Sequence, residues 1–238
     1  MTSRIHASLL VLSFVACEPT SDQSGGAVGR EYDRKEWQHW IDEDRDCQDT
    51  RTEVLIAEAT GRVKFEDERE CKVARGEWRC PYTGELIREP DALDIDHMVP
   101  LGNTHRSGGD AWGSDKRREY ANDLSRDEHL VAVARGANRS KSDRGPEDWL
   151  PPNPEFRCEY VQIWVDTKQR WDLRMTPEEQ AAVDAALSLC ETGGVPELPQ
   201  GSASKRCCQV CRSGKPCGDG CVPHDRTCSQ PPGCACAG

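Results

Sequence analysis

The sequence predicts an α+β domain over residues 31–192, followed by a small disulfide-rich tail over 207–238. Three observations lead there. Short alternating apolar runs, suited to half-buried strands, fill the first part of the domain. Long stretches with helical periodicity fill its second part. The composition then breaks abruptly: eight of the 14 cysteines lie from Cys207 onward, where no apolar periodicity remains.

The elements follow in order. Met1–Arg4 and the apolar run at residues 7–16 form an export signal too short to remain as a membrane span. Val15-Ala16-Cys17 is similar to a lipoprotein cleavage site, although Phe14 departs from the usual Leu, so ordinary signal cleavage is the alternative. Residues 18–30 read as a polar Gly/Ser tether. Residues 51–60 carry an amphipathic helical pattern. "RVKFEDE" and "GEWRCPYTGELI" alternate as short strands, the second with a Thr83-Gly84 turn. Residues 92–98 read as a strand ending near Pro100, and 102–113 as a Gly-rich loop. Ser114 is placed to cap a helix over 115–122. "HLVAV", residues 129–133, is a further strand, and "GANRSKSD" opens a helix. Tyr160, Ile163, Trp164, Thr167 and Trp171 share one helical face and belong to the core. Thr176, Pro177 and Glu179 start a last helix with a capping box. Residues 193–206 form a linker.

The formal charge of −11 excludes a chain that binds nucleic acid through overall positive charge. Any phosphate contact has to come from a local patch or a metal. Lys and Arg outnumber Asp and Glu over 115–145, which makes that stretch slightly basic.

"DIDHMVPL", residues 94–101, carries the chemistry. Hydrolysis of a phosphodiester needs a base for water and a positive centre for the developing charge. An imidazole suits the first role near neutral pH. A hard divalent cation held by oxygen ligands suits the second. Neighbouring side chains on a strand point to opposite faces, so Asp96 and His97 converge only where the strand ends or twists. A carboxylate that merely orients a buried histidine is the plainer alternative.

Downstream lie "YANDL", with Asn122, and "HLVAVARGANRSKSD", with Asn138. This ordered set resembles HNH endonucleases with a ββα-metal motif. More closely, it resembles secreted bacterial proteins related to the C-terminal domain of GmrSD-type restriction endonucleases. "EYDRKEWQHWIDEDRDCQDTRTEVLIAEA", "RCPYTGELI", "REYANDLS", "ANRSKSDRGPEDWLPP" and "WVDTKQRWDL" extend the likeness over roughly residues 31–190. The resemblance implies an HNH ββα-metal core with flanking helices. It implies His97 as general base, Asp96 and Asn138 as metal ligands, and Asn122 as the residue that orients the histidine or braces its loop. The metal it implies is Mg²⁺, with Mn²⁺ as the alternative; Asn138 in the third motif position tilts the choice away from Zn²⁺. Asp94 joins the metal shell or caps its strand. Arg139, Lys141 and Arg144 are the expected phosphate contacts. His105 reads as a loop histidine, His129 as structural, and Trp112 as packing beneath the loop.

Fourteen cysteines behind an export signal point to an oxidising compartment. Cys71 with Cys80 is the first expected pair and Cys47 with Cys158 the second, leaving Cys190 over. Four disulfides are expected in the tail. The resulting expectation is an exported or lipid-anchored, metal-dependent endonuclease that cuts DNA with low sequence preference. The alternatives are an RNA-preferring nuclease and a catalytically inactive surface-binding protein that acts through its tail.

Overall fold

The computed structural model describes residues 30–199, 209–211, 214–218, 220–228 and 235–237. The leader at 1–17, the tether up to residue 29 and much of the linker expected at 193–206 lie outside the described residues. Helices and short strand pairs mix along the chain, so the architecture is α+β, with disulfides towards the C-terminus.

The central feature is an antiparallel pair, β5 (Leu93–His97) and β6 (Leu130–Ala134), in unbroken register from Leu93 opposite Ala134 to His97 opposite Leu130. Side chains alternate between its faces. Leu93, Ile95, Leu130 and Ala132 pack with Val54, Leu55, Val73 and Trp78 in one apolar cluster. Val131 and Val133 belong to the other cluster, with Tyr82, Trp149, Tyr160 and Trp164. Helix α4 (Arg135–Lys141) starts directly after β6.

Helix α1 (Thr50–Ala57) is shorter than the 51–60 pattern suggests; the Asp49 side chain caps its start by accepting from Thr52 N at 2.8 Å. Strands β1 (Lys64–Phe65) and β2 (Val73–Arg75) pair, as do β3 (Trp78–Arg79) and β4 (Leu86–Ile87). Gly84, at φ 75°, makes the turn expected there.

Two expectations need correction. Residues 102–113 are not an open loop. They contain α2 (Leu101–Arg106) and a 3₁₀ turn at Gly109–Ala111. Pro100 accepts from Thr104 N at 2.8 Å and so starts the helix. Gly109 is needed because a Cβ there would stand 2.8 Å from the Thr104 carbonyl oxygen. Ser114 is the first residue of α3 (Ser114–Ala121), not its cap, which is Gly113.

Helices α5 (Arg157–Arg170) and α6 (Pro177–Glu191) close the domain. Glu179 completes the expected capping box with Thr176. The same carboxylate accepts from Trp164 Nε1 at 2.6 Å and pairs with the buried Lys168 at 2.6 Å.

The cysteine pairing also differs. Cys47 joins Cys71 and Cys158 joins Cys190, while Cys80 is a buried thiol that accepts from Ala134 N at 3.2 Å. Cys158 lies in the first turn of α5 and Cys190 in the last turn of α6, so the packed helices bring the two together. Cys80 follows β3 into the core, away from Cys71. In the tail, β7 (Gln209–Cys211) pairs with β10 (Ala235–Ala237), and β8 (Lys215–Cys217) with β9 (Gly220–Val222). Cys211–Cys221 and Cys217–Cys228 link the described tail residues. Cys207, Cys208 and Cys234 lie outside them. These bonds point to an oxidising compartment.

Just past α1, Glu58 accepts from Ala132 N of β6 at 2.8 Å, and burial pushes its carboxyl up to about 7. The folded protein therefore holds this proton over a range where the unfolded chain has released it. Stability should fall as pH rises from about 4.5 to 7, by up to roughly 3 kcal/mol. Denaturant melts of wild type and Glu58→Gln across this range check it. The variant should lose less stability than wild type as pH rises.

Candidate active site

The motif residues divide between the two faces of β5. Asp94 and Asp96 share one face with period two, and His97 belongs to the other. Helix α4 lies against the acidic face.

Asp96 is buried. One carboxylate oxygen, Oδ2, accepts from Tyr82 Oη at 2.7 Å and from Lys141 Nζ at 2.6 Å. Lys141 has no exposed surface, and its Nζ also donates to the His97 carbonyl at 2.9 Å. Burial pushes the Asp96 carboxyl up and the Lys141 ammonium down, and the ion pair opposes both shifts. Lys141, expected at the phosphate face, is therefore an internal tie between α4 and β5.

Asn138, one helical turn before Lys141, donates from Nδ2 to Asp94 Oδ2 at 3.1 Å. Asp94 also meets Arg135 Nε at 3.5 Å. Among the described residues, Asp96 Oδ1 and Asn138 Oδ1 make no hydrogen bond. Asp94, Asp96 and Asn138 thus form a group of oxygen donors on one side of the strand. Hard oxygen atoms of this kind fit a divalent cation such as Mg²⁺.

His97 is buried, and its Nε2 stands 3.0 Å from the Ala121 carbonyl. A carbonyl only accepts, so Nε2 carries the proton and Nδ1 keeps its lone pair. Burial, and then the neighbouring His129, hold the ring well below the usual histidine range, so it is neutral near pH 7. Among the described residues Nδ1 makes no hydrogen bond. The structure does not bring the His97 ring onto the face that carries Asp96 and Asn138.

Asn122 does not touch the His97 side chain. Its Nδ2 donates to Gln38 O at 2.7 Å and to Arg118 O at 2.8 Å. Its Oδ1 accepts from Ile41 N at 3.2 Å and from Thr50 Oγ1 at 2.9 Å. The residue before it, Ala121, supplies the carbonyl that fixes His97. Asn122 therefore braces a loop, one of the two roles the resemblance implies.

His129 is structural. Arg170 donates to its Nδ1 at 3.2 Å, so its Nε2 carries the proton and donates to Tyr120 O at 2.8 Å. Burial pulls it down to about 4. His105 is buried, not loose in a loop, with Nε2 2.5 Å from Arg30 O. Trp112 packs among Trp37, Tyr120 and Trp171. Arg139 is exposed on α4, and Arg144, partly buried, donates from Nε to Lys141 O at 3.2 Å.

The C-terminal domain of GmrSD restriction endonucleases matches residues 49–183, more than half of the sequence. The chain belongs to that family. An "Uncharacterized secreted protein" of Arthroderma benhamiae is 34% identical over 180 residues, covering 76% of this chain and 83% of the relative. That relative is fungal, so the likeness extends beyond bacterial proteins. No solved structure matches. As a member of an endonuclease domain family, the chain has nucleic acid as its expected class of substrate.

Sequence reasoning did not single out three residues that lie against the motif side chains: Tyr82 at Asp96, and Trp40 and Tyr120 at His97. They lie inside strings that carry the family likeness, but their rings reach the motif from segments distant in sequence, so nothing local assigns them to it. It also passed over Asp42, Asp44 and Asp46, which are exposed and have carboxylate oxygens within 4.8 Å of one another. With Thr50 and Glu53 they occupy the first, third, fifth, ninth and twelfth places of a calcium-loop spacing, and Cys47, sixth, has φ 78°. Exposed acidic groups commonly cluster in this way without an ion.

Removing one partner of a buried ion pair leaves the other charge without compensation. Lys141→Met should therefore cost about 3–5 kcal/mol. Arg139→Ala, at an exposed position on the same helix, should change stability by less than about 0.5 kcal/mol. Urea melts of the two variants check the contrast.

Proposed function

We propose that this protein is an exported, metal-dependent endonuclease of the HNH type that hydrolyses phosphodiester bonds in DNA with low sequence preference. The observation that carries the reading is the state of His97. Its Nε2–H is turned to the Ala121 carbonyl, which leaves Nδ1 as a basic lone pair. The β5–β6 pair running into α4 supports an HNH ββα-metal core.

His97 stands at the end of β5, on the face opposite Asp96 and Asn138, so a phosphate served by both has to lie across the end of that strand; there His97 Nδ1 takes the proton of the attacking water. Burial keeps the ring neutral, so the lone pair is present at neutral pH. Asp96 and Asn138, with Asp94 beside them, would hold Mg²⁺, or Mn²⁺ in its place. When bound, the cation supplies positive charge to the phosphate and to the leaving 3′ oxygen. Lys141 fixes which oxygen of Asp96 remains open. Arg139 and Arg144 serve as phosphate contacts; the buried Lys141 does not share that role. Nothing in the described residues amounts to a separate base-reading module, which supports low sequence preference.

Export is supported by the disulfides and by the name of the fungal relative. A lipid anchor at Cys17 is part of the same proposal. No helix among the described residues is long and apolar enough to cross a membrane.

The test is cleavage of plasmid and linear DNA by the oxidised protein, with Mg²⁺, with Mn²⁺ and with EDTA. Cutting should require the metal, and His97→Ala should slow it by about 10²–10⁴-fold. A folded wild-type protein that leaves DNA intact with both metals would contradict the proposal, as would a fully active His97→Ala.

A further inference from the structure

Residues 31–41 precede the stretch that matches the endonuclease family, yet they complete the surroundings of His97. They are fastened at several points. Trp37 is buried with no exposed surface, and the Arg117 guanidinium lies 5.7 Å from its ring centroid. Glu36 pairs with Arg117, which is itself buried. Asn122 then takes Gln38 O and Ile41 N at the two ends of the last few residues.

Between those two anchors stands Trp40. Its φ of 59° is in the left-handed region, which a bulky residue seldom adopts. Such backbone persists where surrounding contacts hold it, and it clusters at functional sites. Trp40 packs against the Val54, Leu55 and Trp78 cluster and meets the His39 ring at 5.2 Å, and it also reaches the motif histidine. The Trp40 ring lies 5.9 Å from the His97 ring, at 23° to it. Tyr120 is also stacked on His97, at 6.1 Å and 10°. The imidazole is thus held by two aromatic planes and by the Ala121 carbonyl at its Nε2 edge. The His129 ring stands at 6.1 Å and 90° to it, and among the described residues Nδ1 makes no hydrogen bond.

We propose that Trp40 is a positioning residue for the hydrolysis, holding the His97 ring so that Nδ1 stays turned to the attacking water. The segment that the Asn122 amide fastens is then part of the active site. This rests on the nuclease reading above. It explains why Asn122, which never touches the His97 side chain, matters to that histidine: the amide holds the residue that does.

The experiment uses the full oxidised chain and two variants, Trp40→Leu and Trp40→Phe. Trp40→Leu should lower kcat about tenfold and leave KM within about twofold, since the loss is of geometry and not of binding. Trp40→Phe, which keeps a ring, should recover most of kcat. In NMR spectra of the metal-free proteins, the His97 ring protons should shift in Trp40→Leu, because a stacking ring is gone, and stay near wild type in Trp40→Phe. A Trp40→Leu protein with wild-type kcat and unmoved His97 signals overturns the inference alone. If Trp40→Leu loses its near-UV circular dichroism, Trp40→Phe decides: a kcat as low as that of His97→Ala overturns the inference. A folded wild type that cuts no nucleic acid, while Trp40→Leu still shifts the His97 signals, overturns the nuclease reading and this role with it, and leaves the stacking intact.

Discussion

A lysine ammonium with no exposed surface has to be answered by a carboxylate, and here the answer is Asp96. The contact joins the last residue of α4 to the strand of the motif. Its second bond, to the His97 carbonyl, fixes the backbone at the neighbouring position. Much of the rest follows from it. Asn138 sits one turn earlier on the same helix, so the tie that seats Lys141 also brings Asn138 to Asp94. Tyr82, itself buried, adds a hydrogen bond to the same oxygen. Buried charge of this kind is expensive to assemble and more expensive to break. It gives one arrangement of helix against strand a large advantage over its neighbours.

The alternation of β5 then sets a division of labour. Oxygen donors lie on the face towards α4, and the imidazole lies on the other, between Trp40 and Tyr120. A residue that must accept a proton benefits from neutrality and from a fixed tautomer. Burial supplies the first, and the Ala121 carbonyl the second. Under the proposed reading a cation needs open oxygen atoms, and among the described residues Asp96 Oδ1 and Asn138 Oδ1 carry no hydrogen bond. The two environments differ because the side chains of successive residues leave the strand in opposite directions.

Much of this was legible in the sequence wherever the signal was local. Strands β5 and β6 and helices α4 to α6 follow from alternation, helical periodicity and the Thr176 capping box. The ordered motif residues led to the family. What was illegible depended on contacts between distant segments. The partners of Cys47 and Cys158 are decided by helix packing and loop closure, which spacing does not encode. Lys141 looked like a surface cation, because charge says nothing about burial until Asp96 is seen beneath it. Asn122 read as orienting His97 or bracing its loop, and the choice depended on residues 38–50, far earlier in the chain, which its amide meets. Helix α2 was hidden by the glycines in and after it, of which Gly109 is there for close packing against Thr104.

The central claim is that the face of β5 towards α4 is the one that holds the cation. The most direct measurement is an Mn²⁺ titration of the folded, oxidised protein, followed by paramagnetic broadening of its NMR signals. Signals of Asp94, Asp96 and Asn138 should broaden first, at the lowest Mn²⁺ concentrations. Broadening that begins elsewhere, such as at Asp42–Asp46, and leaves these three sharp would contradict the account.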